Sequence, residues 1–272
     1  MWRRRVGLVG AGAVLAGGLL AVVAQAVDPW ADQVIAYDAG SGAEPGYTDP
    51  QVVLGAPERF TGEGQWPGAV TPFNPPWLPQ EVVSVGAGGR LVVRFDEPIV
   101  DDPAHPFGVD LIIFGNGAFV DADWPNGVVG GVWEEGPFRV SVSVDGGHWV
   151  ELPGEHYDAL FPTLGYLDLA GPYDANPGSV PSDFTRPVDP GLSYADFAGR
   201  AFDEVVALYD GAGGGIPLDI GPTGLSAVSY VRLDVAAGAT SPEFDALAAV
   251  PEPSAAALYI AVVLAGAFRR GW

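Results

Sequence analysis

The chain lacks cysteine and lysine and has only three histidines, and these shortages restrict its chemistry. Without cysteine it cannot form a disulfide, a thiol nucleophile, a thiolate metal site or a lipoprotein anchor. No two histidines have the spacing of zinc ligands. No serine lies in a G-x-S-x-G elbow, since the segment around Ser226 fails at its last position. We therefore expect neither a catalytic triad nor a zinc centre.

Positive charge is also scarce, and part of it lies at the two ends of the chain. There are 34 acidic residues and 12 basic ones, all arginines, and five of the arginines lie in the tails. Seven arginines against 34 acidic residues give the segment between the tails a net charge of −27. Such a segment repels nucleic acid and anionic lipid but suits calcium or a neutral sugar. The alternative is that the acidic surface serves only solubility.

Glycine and proline are abundant, with 39 and 26 residues, yet the sequence is not that of a disordered chain. Hydrophobic residues make up 48% and aromatic residues 11%, and they fall in strand-like runs. A length of 272 residues suits one large β domain, which we place at residues 27–249. We therefore predict an all-β fold with many turns.

The clearest strand signal is the alternation of apolar and polar residues over 138–144. Asp145-Gly146-Gly147 supplies a turn and residues 148–152 return, which predicts a β-hairpin with one buried face. The continuous apolar run at 110–114 predicts a strand that is buried on both faces. Further strands are predicted at 34–37, 90–95, 230–235 and 244–250.

One helix is predicted among the strands. Ser193 and Asp196 resemble a helix start, and Gly211 is placed to end the helix. Between them, apolar residues recur at helical spacing: Phe197, Phe202, Val205, Val206 and Tyr209. Two stretches without periodicity, 57–79 and 168–190, are predicted to be long loops, and 51–54 is predicted to be a brief helical turn.

Three pieces of the sequence resemble parts of the galactose-binding-like, discoidin-type jelly roll. The segment 143–149 is similar to that family's S-x-D-G-x-x-W hairpin, and segments 230–234 and 243–246 are similar to its closing strands. The loop that ends in Tyr47-Thr48-Asp49-Pro50 is similar to its first loop. The resemblance implies an antiparallel jelly-roll sandwich with long loops and one inserted helix. The chain departs from the family by lacking its bridging cysteines and by two insertions, 57–79 and 153–225.

Calcium is the cofactor that this resemblance and the acidic composition favour, because calcium takes carboxylate and carbonyl oxygens. The first loop of the family often holds a calcium ion. The resemblance therefore implies that Asp38 and Asp49 meet Glu243 or Asp245 to form a calcium site.

A second calcium site is predicted at Asp121, Asp123 and Asn126, whose spacing is similar to part of an EF-hand loop. The third ligand comes one position late and position twelve has no acid, so this segment is not a true EF-hand. For both sites the alternative is a turn that is capped by its own Asp or Asn.

Aromatic residues in loop-like stretches are candidates for sugar binding, because flat rings stack on pyranose faces while Asp and Asn bond the hydroxyls. The candidates are Trp66, Phe73, Trp77, Trp124 and Trp133. The alternative is that these rings hold the long loops against the sandwich.

The first 26 residues have the pattern of a signal peptide. Arg3-Arg4-Arg5 is the charged region, residues 6–23 are apolar, and Ala24-Gln25-Ala26 is a small-x-small cleavage site. We expect signal peptidase to leave Val27 as the first residue of the mature chain. The alternative is an uncleaved membrane anchor.

The last 23 residues combine the motif Val250-Pro251-Glu252-Pro253, an apolar run of 14 residues at 255–268, and Arg269-Arg270. The run is shorter than the roughly 17–25 residues of a usual spanning helix, but it has no polar face and ends in arginines, as the positive-inside pattern requires. This order resembles the PEP-CTERM sorting signal of bacterial envelope proteins. The resemblance implies a transmembrane helix at 255–268 and processing by a membrane-embedded exosortase. The alternative is an ordinary C-terminal helix of the folded domain.

These features predict an exported protein of the cell envelope, outer surface or extracellular matrix that is at least transiently anchored in the membrane. We expect its sandwich to be non-catalytic and to bind extracellular polysaccharide. The alternative is an extracellular polysaccharide hydrolase that uses paired carboxylates. Spacing does not decide between them, because 34 acidic residues make coincidental pairs common.

Overall fold

The computed structural model describes residues 28–133, 136–157 and 160–251, and these are rich in β-strands. The strands are β1 (Gln33–Asp38), β2 (Phe60–Thr61), β3 (Gly68–Ala69), β4 (Val83–Ser84), β5 (Arg90–Val100), β6 (Leu111–Gly115), β7 (Ala118–Asp121), β8 (Val129–Trp133), β9 (Pro137–Ser143), β10 (Val150–Glu151), β11 (His156–Tyr157), β12 (Ile216–Leu218), β13 (Ala227–Asp234) and β14 (Glu243–Ala249). The helices are α1 (Tyr194–Phe197) and α2 (Phe202–Tyr209), with 3-10 turns at Pro50–Val53, Pro106–Gly108 and Gly221–Thr223.

Two antiparallel sheets form the centre of the fold. The large sheet has the strand order β1-β5-β13-β9-β10, and β11 also pairs with β9. The small sheet has the order β12-β6-β14-β4, and the pairs β2-β3 and β7-β8 form separate hairpins. The prediction of an all-β antiparallel sandwich is confirmed. The jelly-roll connectivity and the likeness to the discoidin family stay predictions.

The main hydrophobic core lies between the two sheets. Because successive strand residues point to opposite faces, Leu91, Val93 and Phe95 of β5 all enter it. Phe138 of β9 meets Phe244 of β14 edge to face, with ring centroids 4.9 Å apart. This ring pair joins the large sheet to the small one.

The outer face of the small sheet is buried as well. Ile112 and Phe114 of β6 and Ala248 of β14 belong to a second apolar cluster on the side away from the main core. Phe184, which comes from the long insertion, covers Phe114 with ring centroids 5.3 Å apart. The prediction that the apolar run at 110–114 is buried on both faces is confirmed.

The predicted β-hairpin is formed by β9 and β10, with Val142 opposite Val150. The Ser143 hydroxyl accepts the backbone N–H groups of Asp145 and Gly146 at 3.3 and 2.9 Å. At the other end of the motif, the Arg232 guanidinium lies 4.6 Å from the centre of the Trp149 ring. The S-x-D-G-x-x-W residues therefore stabilise a turn and its neighbouring strand.

The single helix predicted after Ser193 is wrong, because two short helices, α1 and α2, take its place. The chain breaks at Gly199, whose φ of +75° lies in the left-handed region. Phe197 and Phe202 are both buried in one aromatic cluster. Five residues apart, they would face different sides of a continuous helix, and the break lets both side chains enter the same core. Helix α2 ends at Tyr209, and its C-cap residue is Asp210, with φ +48°, one residue before the predicted Gly211.

The two insertions contact each other and cover the sandwich. The stretch 57–79, predicted to be featureless, contains the hairpin β2-β3. Arg59 from this stretch donates to the carbonyl oxygens of Gly165 and Ser182, the latter at 2.9 Å. Its guanidinium also lies 3.9 Å from the centre of the Phe184 ring. The insertions therefore serve as a packed cover for the small sheet.

The predicted signal peptide (1–26) and the predicted transmembrane helix (255–268) lie outside the described residues. Within the described ranges, the structure contains no helix that is both long and apolar enough to cross a membrane.

Candidate functional site

A cleft of about 580 Å³ opens where the loop after β1 meets the start of β14. The ends of β4 and β8 and the turn after β6 complete its walls. It is lined by Ser41, Gly42, Glu44, Tyr47, Trp77, Ser84, Asn116, Trp133, Ala239, Thr240, Ser241 and Glu243.

Hydrogen bonds hold the loop after β1 in place as one wall of the cleft. The Ser84 hydroxyl accepts the Glu44 N–H at 3.0 Å, and the Ser84 N–H donates to the Tyr47 carbonyl at 2.8 Å. The Ser241 hydroxyl donates to the Gly42 carbonyl at 2.7 Å. The first loop and the start of the last strand are therefore neighbours, as the family resemblance implied.

Two of the five predicted aromatic ligands, Trp77 and Trp133, line the cleft. The Tyr47 hydroxyl donates to the Trp77 carbonyl at 2.7 Å, and the Trp77 N–H donates to the buried Glu81 carboxylate at 2.9 Å. Trp133 ends β8 and is 44% exposed. The Trp77 backbone is thus fixed by internal bonds, while the Trp133 ring remains accessible to a ligand.

The other three predicted aromatic ligands lie elsewhere. Trp66 and Trp124 are 79% and 75% exposed and do not line the cleft. The prediction for Phe73 is wrong, because this residue is only 7% exposed and its ring meets Phe119 edge to face at 6.0 Å. Phe73 is a core residue that fixes its loop, which is the alternative stated for these rings.

Asn116 is a cleft residue that the sequence analysis did not identify. It is 4% exposed, and its side-chain N–H donates to the Glu243 carboxylate. A carboxylate oxygen can only accept here, so this bond fixes the orientation of the amide. The Asn116 Oδ1 atom is buried, and it finds no donor among the described residues. The segment Gly115-Asn116-Gly117 directly after a buried strand was the only local signal.

Carboxylates dominate the electrostatics of the cleft. Partial burial raises the pKa of the Tyr47 hydroxyl, and the charges of Glu243, Glu44 and Glu81 raise it further. No arginine or histidine is among the described residues that line the cleft. The cleft therefore combines aromatic rings with hydrogen-bond acceptors in a negative field.

Asp245 does not join Glu243 in the cleft. The pairing of β14 with β6 shifts register between Phe244 and Ala246, and this bulge alters which way the side chains point. Asp245 is buried, and its carboxyl group accepts the Glu58 N–H at 3.1 Å. Burial raises the pKa of Asp245 well above its usual range, and the nearby Glu58 and Glu81 raise it further.

The four acids of the first predicted calcium site do not converge. Asp38 and Asp49 are exposed and accept N–H groups of their own loops, from Gly40 at 3.1 Å and Gln51 at 3.0 Å. Neither they nor Glu243 and Asp245 belong to a described trio of acids with ligand atoms close enough for one ion. The residues Asp38 and Asp49 fit the stated alternative, a turn capped by its own side chain.

The second predicted calcium site also has the structure of a self-capped turn. Burial alone would raise the pKa of Asp121, but hydrogen bonds lower it below its usual value. The donors are the N–H groups of Asp123, Val128 and Gly127 and the hydroxyl of Tyr173. Asp123 in turn accepts the Asn126 side-chain N–H at 3.1 Å. The carboxylates of Asp121 and Asp123 therefore have hydrogen-bond donors from within the protein.

A trio that the sequence analysis did not identify, Asp101, Asp110 and Asp219, has ligand atoms within 4.8 Å of one another. Three carboxylates could serve as oxygen ligands for calcium or magnesium. The buried Asp110, however, accepts the Ile220 N–H at 3.0 Å and bonds His105 Nδ1 at 2.8 Å. It thereby joins two loops of the sandwich, and we assign no ion to the trio. Calcium binding stays a prediction from composition and resemblance.

Comparison with known proteins adds little to this geometry. No family model and no curated protein sequence matches the chain. Among solved structures, the chain is similar to a pectin-binding carbohydrate-binding module, with 11% identity and a TM-score of 0.30. The similarity covers 82% of this chain and 94% of that chain. Values this low support no inference about the ligand.

The buried Asp245 predicts an unusual pH dependence of stability. The folded-state pKa is raised above the unfolded value of 3.8, so the contribution of this group to stability is full below that value. It is lost progressively as pH rises towards the folded-state pKa. We expect Asp245→Asn, which cannot ionise, to flatten the fall in melting temperature as pH rises above about 4.

Melting curves followed by circular dichroism across this range measure the effect. Glu97→Gln is the matched control, because Glu97 is an exposed carboxylate on β5. The control should leave the pH profile unchanged. A profile for Asp245→Asn that runs parallel to that of the wild type at every pH would contradict the prediction.

Proposed function

We propose that this β-sandwich is a non-catalytic carbohydrate-binding domain. The observation that carries the proposal is that Trp77, Trp133 and Asn116 line one cleft, and that the buried Oδ1 of Asn116 has no donor among the described residues. A sugar ring has apolar faces that stack on indole rings and hydroxyls that donate hydrogen bonds at its edge. The cleft offers a surface of each kind.

The dimensions and rigidity of the cleft support the same proposal. Its volume of about 580 Å³ lies within the range of typical small-molecule sites, roughly 300–1,000 Å³. The loop after β1 is held by bonds to Ser84 and Ser241 before any ligand arrives. A preformed wall reduces the entropy that a ligand must offset on binding.

We further propose that the protein is exported and sorted to the cell surface or extracellular matrix. Signal peptidase would remove residues 1–26, and an exosortase would read the Pro-Glu-Pro motif. The start of the motif supports this, because Val250 is still buried and donates its N–H to the Asp110 carbonyl at 2.9 Å, whereas Pro251 is exposed. Glu252, Pro253, Arg269 and Arg270 lie outside the described residues.

Removal of the Trp133 ring should weaken glycan binding. We expect Trp133→Ala to raise the dissociation constant at least tenfold, or about 1.4 kcal/mol, because the ring is an accessible stacking surface in the cleft. A glycan array with the full chain identifies the ligand, and calorimetry measures the affinity.

Trp66→Ala and Trp124→Ala are matched controls, because both remove an exposed indole that lies outside the cleft. Each control should bind as the wild type does. An unchanged affinity for Trp133→Ala, or an equal loss in either control, would show that the cleft is not the glycan site.

The alternative function is a polysaccharide hydrolase, and one observation favours it. Two carboxylates, Glu44 and Glu243, line the same cleft, and glycosidases place a pair of acids on either side of the scissile bond. If the domain only binds, wild-type protein incubated with the glycan that the array selects should release no new reducing ends. Release that is abolished by Glu44→Gln would instead assign a catalytic pair.

The sorting proposal predicts that the native protein loses its C-terminal residues. Mass spectrometry of the protein from its natural host should find a C-terminus near Pro251-Glu252-Pro253. Replacing Pro251 and Pro253 by alanine should leave the tail attached. Recovery of mature wild-type protein that still carries Arg269-Arg270-Gly271-Trp272 would exclude this processing.

A further inference from the structure

We propose that the cleft selects glycans by charge, so that protonated amino sugars bind more tightly than matching neutral sugars and uronic acids are excluded. The proposal rests on the proposed carbohydrate-binding function and names the class of sugar that this site takes.

The hydrogen bonds of Asn116 favour a ligand that donates. The N–H group of Asn116 is bonded to Glu243, and its buried carbonyl oxygen Oδ1 has no donor among the described residues. A buried acceptor without a donor is destabilising, and a ligand that donates to it removes that cost. Hydroxyl and ammonium groups can donate to Oδ1, whereas the carboxylate of a uronic acid cannot.

Two hydroxyl donors of the cleft already donate to carbonyl groups of the protein. The Tyr47 hydroxyl donates to the Trp77 carbonyl, and the Ser241 hydroxyl donates to the Gly42 carbonyl. The Glu44 N–H donates to the Ser84 hydroxyl. The Tyr47 and Ser241 hydroxyls and the Glu44 N–H are therefore occupied within the protein.

The charged side chains in the described lining of the cleft are carboxylates. Glu44 is exposed at the mouth of the cleft and Glu243 is buried in its wall, and no arginine or histidine lies among the described lining residues. Both carboxylates act on the Tyr47 hydroxyl, because their charges raise its pKa in addition to the effect of burial. An anionic sugar placed here would lie close to like charges without a cation to offset them.

The aromatic rings add to the preference for a cation. An ammonium group near the face of a Trp ring is attracted by the ring quadrupole. Trp77 and Trp133 lie in the same lining as Glu44 and Glu243, so the cleft contains both aromatic rings and carboxylates. A neutral hydroxyl at the same position gains only the hydrogen bond.

The test compares tetramers that differ only in charge, with the full chain and calorimetry at about pH 6 in low salt. One series contains β-1,4-linked glucosamine, glucose and glucuronate, and a second contains galactosamine, galactose and galacturonate. In the series that binds, we expect the amino sugar to bind about tenfold more tightly than the neutral sugar. The uronate should bind at least tenfold more weakly than the neutral sugar, and raising the salt concentration should reduce both differences.

Glu44→Gln removes one charge at the mouth of the cleft while keeping the shape of the side chain. We expect it to reduce the preference for the amino sugar over the neutral sugar about threefold or more. Glu97→Gln removes an equal charge from an exposed position on β5 outside the cleft and should leave the preference unchanged.

The outcomes separate this inference from the proposed function. Uronate binding as tight as neutral-sugar binding, or equal affinity for the amino and neutral sugars at low salt, would overturn the inference while leaving carbohydrate binding intact. An equal effect of Glu97→Gln and Glu44→Gln would remove the cleft as the source of the selectivity. No binding in either series would count against both the inference and the proposed function.

Discussion

Burial of the small sheet on both faces is the constraint on which the rest of the structure depends. The inward residues of β6 and β14 enter the main core, but Ile112, Phe114 and Ala248 face the other way and are equally apolar. Leaving the Ile112 and Phe114 side chains in water would cost about 1.5–3 kcal/mol each. The chain covers them with the insertions, through Phe184 and the guanidinium of Arg59 above it. The long loops are thus required by the sheet that they cover.

That cover also determines where a ligand can bind. The insertions extend over the outer face of the small sheet, while the cleft lies where β4 and β14 meet the loop after β1. A bulge between Phe244 and Ala246 separates two neighbouring acids there. Glu243 lines the cleft and Asp245 is buried beside Glu58. One register shift therefore gives two carboxylates on the same strand different environments.

Features that depend on neighbouring residues could be predicted from the sequence. The alternation over 138–144 and its Asp-Gly turn predicted a hairpin, and the apolar run at 110–114 predicted a strand buried on both faces. The structure contains both. In each case the signal and the structure lie within a few residues of each other.

Features that depend on distant contacts could not be predicted in this way. Phe73 resembled an accessible ring because its loop has no periodicity, but its ring is buried against Phe119 and Phe202. Asp101 and Asp219 come together only through the pairing of remote segments. The aromatic residues Trp77 and Trp133 were identified by type, whereas the hydrogen-bond state of Asn116 depends on Glu243, which is far away in sequence. Composition could suggest candidate residues for a sugar site, but only the fold shows which of them share a cleft.

The positions of the arginines explain why the cleft remains acidic. Arg90 of β5 and Arg139 of β9 lie opposite Asp234 of β13 in the strand register of the large sheet, on the face away from the core. Arg90 bonds Asp234 at 2.7 Å, and Arg232 bonds the same carboxylate at 2.6 Å. A chain without lysine has few cations to place, and here they neutralise acids on the large sheet.

The carboxylates of the small sheet and its loops are satisfied differently. The buried Glu81 accepts the Thr61 hydroxyl at 2.5 Å and the N–H groups of Trp77 and Leu78 at 2.9 Å each. Hydrogen bonds of this kind stabilise a carboxylate without cancelling its charge. The negative field near Tyr47 is therefore a consequence of where the fold places its few arginines, since the strands of the small sheet carry none. A ligand that enters the cleft meets that field directly, and its own charge becomes a determinant of affinity.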